Sequence, residues 1–325
     1  MSEADIQPDL DRRRPGTGRL ASARKEADTV RIKSGVFEGR TTGTPIALLF
    51  ENVDAKSSAY NEMQDLPAVA SRTLRTTRST GIGRGRGGRA SARRRWRAAA
   101  GAVARKLLRE GLGVEIVAWV DRVQDIEAGW TLEKGPRGLR SRRVGRGAPA
   151  GPAAAMTALI ESVRKDGDTV GGVIGCVVRG LPAGLGEPVF DKLDARLACA
   201  MIGLPAAKGF EIGSGFEGTR LRGTEHNDAF VPGEGGPQTA TNRSGGVQGG
   251  ISNGMPVTFR VAFKPVATHF HPQDTVNRAG EAVRFQARGR HDPCVLPRAV
   301  VIVEAMCALE LCDAWLRQRA IVPGG

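Results

Sequence analysis

Apolar residues change their spacing several times along this 325-residue chain, and each change marks an element. Asp5 to Arg13 predicts a short helix stopped by Pro15 and Gly16. "TVRIKSGVFEG" alternates as a strand does, with turn points at Gly35 and Gly39, and "TTGTPIALLFEN" predicts a second strand joined to it through glycine. Ala98 to Glu110, "AAAGAVARKLLRE", is helical in composition and period and ends at Gly111 and Gly113. "VEIVAWVDRV" predicts a strand, "PAAAMTALIESVRKDGD" a helix with Pro152 in its first turn, and "GGVIGCVVRGL" a buried strand. "FDKLDARLACAMIGLPAAKGFEIGSGF" reads as helix, turn and strand. The glycine-rich "RSGGVQGGISNG" then leads into the strand "PVTFRVAFK", and the long apolar helix "PRAVVIVEAMCALELCDAWLRQRA" follows. Helices and strands mix without a strict βαβ rhythm, so the expected fold class is α+β.

Composition adds a turn-rich character: 44 glycines against 5% aromatics. The five cysteines form no CxxC pair, are odd in number, and read as reduced core residues of a cytoplasmic protein. No apolar run reaches the roughly 18 to 20 residues of a membrane span, and no signal peptide is visible, so no membrane partner is expected.

Net charge, +14, would point to a polyanionic partner if it were spread over the surface. It is not spread. Ten arginines and no acid lie between Arg72 and Arg97, and six basic residues and no acid between Lys134 and Arg146. The rest of the chain carries 32 basic and 34 acidic residues. Glycine and arginine interleave at 79–97, as in segments that bind single-stranded nucleic acid, but Trp96 is the one aromatic there, and specific nucleic-acid binding is not expected. The glycines of "GIGRGRGG" only approximate a dinucleotide fingerprint, with no apolar strand before them.

Three constellations carry candidate chemistry. In "DRRRPGTGR", the arginines 12, 13, 14 and 19 surround a turn; they can fork around a phosphate or carboxylate, or form a solvated cluster at a helix end. "GRHDPC" sets His291 and Asp292 beside Arg290, either as an acid or base next to an anion-binding group or as a polar turn in which Asp292 caps the next helix. The glycines of 245–254, followed by Lys264 and Pro265, permit close approach of backbone amides to a ligand, or simply make an irregular loop. His269 and His271 lack further partners at ligand spacing, so no metal site is expected.

Together these segments resemble the chorismate synthase family. The resemblance rests on "DLDRRRPGTGR" at 9–19, "SGVFEGRTTGTPI" at 34–46, "GGRASAR" at 87–93, "LPAGLGEPVFDKLDA" at 181–195, "AAKGFEIGSGF" at 206–216, "GGISNGMP" at 249–256 and "GRHDPCVLPRAV" at 289–300. They occur in the family's order and cover most of the chain. The resemblance implies a single large domain with a β-α-β sandwich of the chorismate synthase type, in a homotetramer. It implies a lyase of the shikimate pathway that forms chorismate from 5-enolpyruvylshikimate 3-phosphate by 1,4-anti elimination of phosphate. Reduced FMN is the implied cofactor, with its N5 involved in removing the C6 proton and NADPH supplying electrons through a separate reductase. Position by position, Arg13 and Arg19 match arginines for the substrate or the nicotinamide nucleotide. Arg89, Ala90, Ser91, Pro205, Ala206, Gly250, Lys264, Pro265, Val266, Ala267, Thr268 and Arg290 match flavin contacts. Asp292 matches the aspartate that relays a proton at the flavin.

Two departures set a further expectation. The family's first strand and its Gly-Glu-Ser-His-Gly turn have no counterpart, and its Pro-Gly-His-Ala-Asp passage is replaced by "LPAVASRTLRTTRSTGIGRGR", which lacks histidine and tyrosine. The family continues Glu-Thr-Val-Ala-Arg after "GGRASAR"; GC-rich codons for that run, read one base late, give the Arg-Arg-Trp-Arg found at 94–97. The atypical windows, 67–97 and 134–150, therefore read as out-of-frame passages and the start as placed late, which resequencing of the locus tests. With both family histidines missing and a loop of uncompensated arginines in place of a substrate-lining passage, the expected catalysis is impaired or absent.

Overall fold

The structure, a computed structural model, describes residues 1–14, 27–51, 86–132, 135, 150–233, 236–277, 279–287 and 291–322, and for residues 86–93 and 150 it describes the backbone alone. At its centre is an antiparallel sheet of five strands in the order β6-β5-β7-β13-β8. These are β5 (Glu115–Val123), β6 (Ile126–Glu127), β7 (Gly172–Arg179), β8 (Ala207–Ile212) and β13 (Val257–Phe263). All but β6 correspond to strands expected from the apolar runs. Consecutive residues of β5 and β7 are buried, so both faces of the sheet are covered, which explains why these strands read as continuous apolar runs.

One cover is helical. Helix α2 (Arg86–Leu112) packs against α6 (Leu296–Ile321), which lies in turn against β5 and β7. Helix α6 buries residues around most of its circumference, from Leu296, Val300 and Val303 to Val301, Ala305 and Cys312, as an apolar helix enclosed on several sides must. Its close contact with α2 depends on glycine: a Cβ on Gly101 would lie 2.4 Å from Ala305 Cα, and one on Gly111 would lie 2.3 Å from the Trp315 ring. Helix α2 starts twelve residues before the expected Ala98, and Gly111 lies within it; Gly113, at φ 71°, makes the left-handed exit.

Helix α1 (Glu3–Arg13) begins at Ser2, whose amide donates to Asp5 Oδ2 at 2.7 Å, and buries Ile6 and Leu10 in a second, smaller core with Ala98, Ala99, Ala102 and Val301. The expected strand pair is present as β1 (Val30–Ser34) and β4 (Ala47–Phe50), antiparallel, with the small hairpin β2 (Val36–Phe37) and β3 (Arg40–Thr41) between them. Helices α3 (Ala150–Lys165) and α4 (Leu193–Ile202) also match expectation. A 3-10 turn at Gly215–Arg220 and the one-turn α5 (Gly223–His226) follow β8.

Three hairpins have no counterpart in the apolar pattern: β9 (Phe230–Gly233) with β10 (Gly236–Thr239), β11 (Val247–Gln248) with β12 (Ile251–Ser252), and β14 (Gln273–Val276) with β15 (Ala282–Phe285). Their residues are mostly exposed or half-buried, so little apolar periodicity betrays them. Cys176, Cys294, Cys307 and Cys312 are buried thiols, but Cys199 is exposed, because it falls on the outer side of α4. Burial pushes the Cys294 thiol up to about 12, only partly offset by the Leu296 amide. Among the described residues, no helix is long and apolar enough to cross a membrane.

Candidate active site

Helix α1 delivers Arg13 into the interior. Its side chain is fully buried, and Nη2 donates to Asp28 Oδ2 at 2.5 Å. Arg95 Nη1 donates to the other oxygen of the same carboxylate at 3.2 Å. Asp28 holds this bridge from a left-handed backbone, φ 49°, an arrangement that costs about 1–2 kcal/mol in an L-residue. Burial, partly offset by Asp28, holds the Arg13 pKa below its ordinary value. Nε and Nη1 of Arg13 have no hydrogen-bond partner among the described residues. A buried guanidinium with two unsatisfied donors is a costly arrangement unless an anion completes it.

Arg13 lines a narrow cleft with Arg94, Leu204, Pro205, Phe263, Asp292, Val295, Arg298, Ala299 and Ile302. One wall is apolar and the other carries guanidinium groups. Arg298, in the first turn of α6, donates from Nη1 to Asp292 Oδ2 at 2.7 Å and from Nε to the Arg13 carbonyl at 3.3 Å. Asp292 is therefore not a helix cap: α6 starts at Val295 with no side-chain cap, and the carboxylate turns to Arg298. Asp292 also borders a second cleft with Thr169, Thr268, His269 and His291.

The remaining arginines of "DRRRPGTGR" divide. Arg12 is not solvated: Nη2 lies 2.8 Å from Glu304 Oε2 and Nη1 2.9 Å from Asp9 Oδ1. Arg105 bridges the same two acids, donating to Glu304 Oε2 at 3.0 Å and also to Asp9. Burial alone would lower the Arg105 pKa, but Asp9 and Glu304 outweigh it and raise it. Glu304, fully buried, also accepts from the Ala118 amide at 3.0 Å. This network ties α1, α2 and α6 to β5. Arg14 is half-exposed near Asp11. Arg19 lies outside the described residues.

The flavin candidates are brought together in part. The Lys264 amide donates to the Ala206 carbonyl at 3.0 Å, joining Pro205 and Ala206 to the run Lys264, Pro265, Val266, Ala267 and Thr268 at the exit of β13. Thr169 Oγ1 fixes this run through the Val266 carbonyl at 2.8 Å. Ala206 sits at φ 72°, another left-handed L-residue, beside the cleft. Gly250 does not join them. It lies in the β11–β12 turn, near the opposite end of β13, and its lack of a Cβ is explained by Lys192, whose Cγ would be 2.6 Å away. Arg89, Ala90 and Ser91 lie in the first turns of α2 with undescribed side chains, and Arg290 falls outside the described residues.

The basic window at 67–97 needs one correction. From Arg86 onward it is helix, not loop, and Arg95 is compensated by Asp28, because α2 lays its first turns beside the Asp28 turn. The other window lies mainly outside the described residues. Sequence reading missed Arg298, Asp28 and Phe263. The one signal for Arg298 was a lone basic residue opening an otherwise apolar helix; Asp28 and Phe263 gave none.

A chorismate synthase family profile matches residues 1–316. The chain belongs to the chorismate synthase family. A chorismate synthase of Opitutus terrae is 54% identical over 328 residues, covering 98% of this chain and 89% of that protein. One of Thermosynechococcus vestitus is 53% identical over 324 residues, with the same coverage. A crystal structure of chorismate synthase superposes with a TM-score of 0.72 at 31% identity, covering 98% of this chain and 84% of that one. The α+β expectation and the chorismate synthase fold agree with this likeness.

Proposed function

We propose that this chain forms chorismate and phosphate from 5-enolpyruvylshikimate 3-phosphate by 1,4-anti elimination, with reduced FMN as cofactor. The observation that supports it most is the convergence of Arg13, Arg298 and Asp292 on one cleft in a chain of this family. As the C3–O bond breaks, charge accumulates on the departing phosphate. Arg13, fixed by Asp28 through Nη2 and with Nε and Nη1 unpaired among the described residues, offers two donors to that charge once the cleft admits the phosphate. Asp292, aimed by Arg298, takes part in removing the C6 proton. The apolar wall formed by Leu204, Phe263, Val295 and Ile302 excludes water and suits a planar ring. Pro205, Ala206 and Lys264 to Thr268 form the rim that would hold the flavin. Reduced FMN, when bound, supplies the electron density that lets the allylic phosphate leave.

In this reading NADPH reduces the flavin through a separate reductase, the enzyme works in the cytoplasm as a homotetramer, and its turnover is slower than that of intact relatives. The exposed side chains of Val189, Phe190 and Phe216 support assembly, and the absence of histidine from residues 52–97 supports slow turnover. The test is anaerobic turnover of the purified chain with chemically reduced FMN, read as chorismate absorbance and phosphate release. Asp292→Asn should lower kcat by about 10²–10⁴, the range of general acid–base catalysis. A wild-type chain that releases no phosphate overturns the proposal.

A further inference from the structure

Arg298 makes two contacts that no other described side chain combines. Its Nη1 holds Asp292 Oδ2 at 2.7 Å, and its Nε holds the carbonyl of Arg13 at 3.3 Å. The first contact orients the carboxylate assigned to the proton; the second pins the last residue of α1, whose side chain is the guanidinium assigned to the phosphate. Both ends are nearly buried, with side-chain exposures of 15% for Arg298 and 13% for Asp292, so solvent screens the pair weakly. Arg298 itself grows from the first turn of α6, the most enclosed helix of the fold, and so has a rigid base.

We infer that Arg298 is a positioning residue, acting through Asp292 and the end of α1 to set the distance between the proton-removing and phosphate-binding groups. The inference rests on the functional reading above. A planar fork suits this role because it can satisfy two acceptors in fixed directions, which an ammonium on a flexible stem does not. Positional tolerance explains why this matters: a shift of about 1 Å in a reacting group can cost 10²-fold in rate.

The experiment is a double-mutant cycle in the full chain, read as kcat and KM under anaerobic conditions with reduced FMN. Arg298→Gln should lower kcat by about 10–10² with KM changed less than about threefold. Arg298→Lys, which keeps the charge and one of the two contacts, should recover part of that loss. In the Asp292→Asn background, Arg298→Gln should cost little further, because the group it positions is already gone. An equal loss in both backgrounds would mean a merely structural role and would overturn the inference, leaving the functional reading intact. A rise in KM with kcat preserved would make Arg298 a substrate contact and overturn it too. A wild-type chain without turnover, or an Asp292→Asn variant with full activity, removes the functional reading and this inference with it.

Discussion

Glu304→Ala should destabilise the junction between α1, α2 and α6. The wild-type carboxylate is fully buried and meets three groups: Arg105 Nη1 at 3.0 Å, Arg12 Nη2 at 2.8 Å and the Ala118 amide at 3.0 Å. Among the described residues, truncation leaves two nearly buried guanidiniums sharing the Asp9 carboxylate, and it orphans a buried N–H in β5. Breaking a buried pair from one side costs about 3–5 kcal/mol, and the orphaned amide contributes about 1–3 kcal/mol of similar origin that is not fully additive. A net loss of about 4 kcal/mol is a large share of the 5–15 kcal/mol by which domains are stable. At about 2.1 cal/mol/K per residue, unfolding entropy converts that loss to a fall in Tm of about 6 °C for a chain of this length. Differential scanning calorimetry at pH 7 measures it. Glu304→Gln, which keeps the shape and one acceptor, should fall between wild type and Ala. A Tm within about 1 °C of wild type for Glu304→Ala would refute the network as a structural tie.

Two further outcomes follow from packing and protonation. Gly101→Ala would set a Cβ 2.4 Å from Ala305 Cα, forcing α2 and α6 apart, and should cost about 1–3 kcal/mol in urea unfolding, whereas Ala substitution at the open Gly151 should be close to neutral. Burial works against the charge of Asp228, but bonds from Thr241 Oγ1 and the amides of Ser244 and Arg243 outweigh it and lower its pKa. Its stabilisation is therefore fully present above the free carboxyl value of about 3.9 and is lost as pH falls through the lower folded value. The Tm gap between wild type and Asp228→Asn should be constant from pH 7 to about 5 and close below about pH 4; a gap that widens on acidification would contradict this sign.

The central elements were legible because their burial is nearly complete. An apolar run such as "GGVIGCVVRGL", short and rich in β-branched residues between glycines, reads as a strand covered on both faces, and the long apolar run at 296–321 as an enclosed helix. The hairpins of 230–285 escaped because most of their side chains are exposed or half-buried and leave no apolar period to read. The start of α2 escaped because the six arginines of residues 86–97 leave no apolar period to read before Ala98.

The sequence by itself determined the family and the order of the main strands and helices, and through its resemblance to that family it pointed to Arg13 and Asp292 as candidates for an anion and a proton. Those are local properties of residue type and spacing. Only the tertiary structure decided how each is used. It buried Arg13 against Asp28, paired Asp292 with Arg298, set Arg95, from a run that read as an out-of-frame passage, against Asp28, and left Gly250 at the other end of β13. The physical reason is that ion pairing across a fold depends on which helices are packed together. Here Gly101 lets α2 and α6 come close, and the Glu304 network locks α1 behind them, so residues far apart in the chain share one cleft.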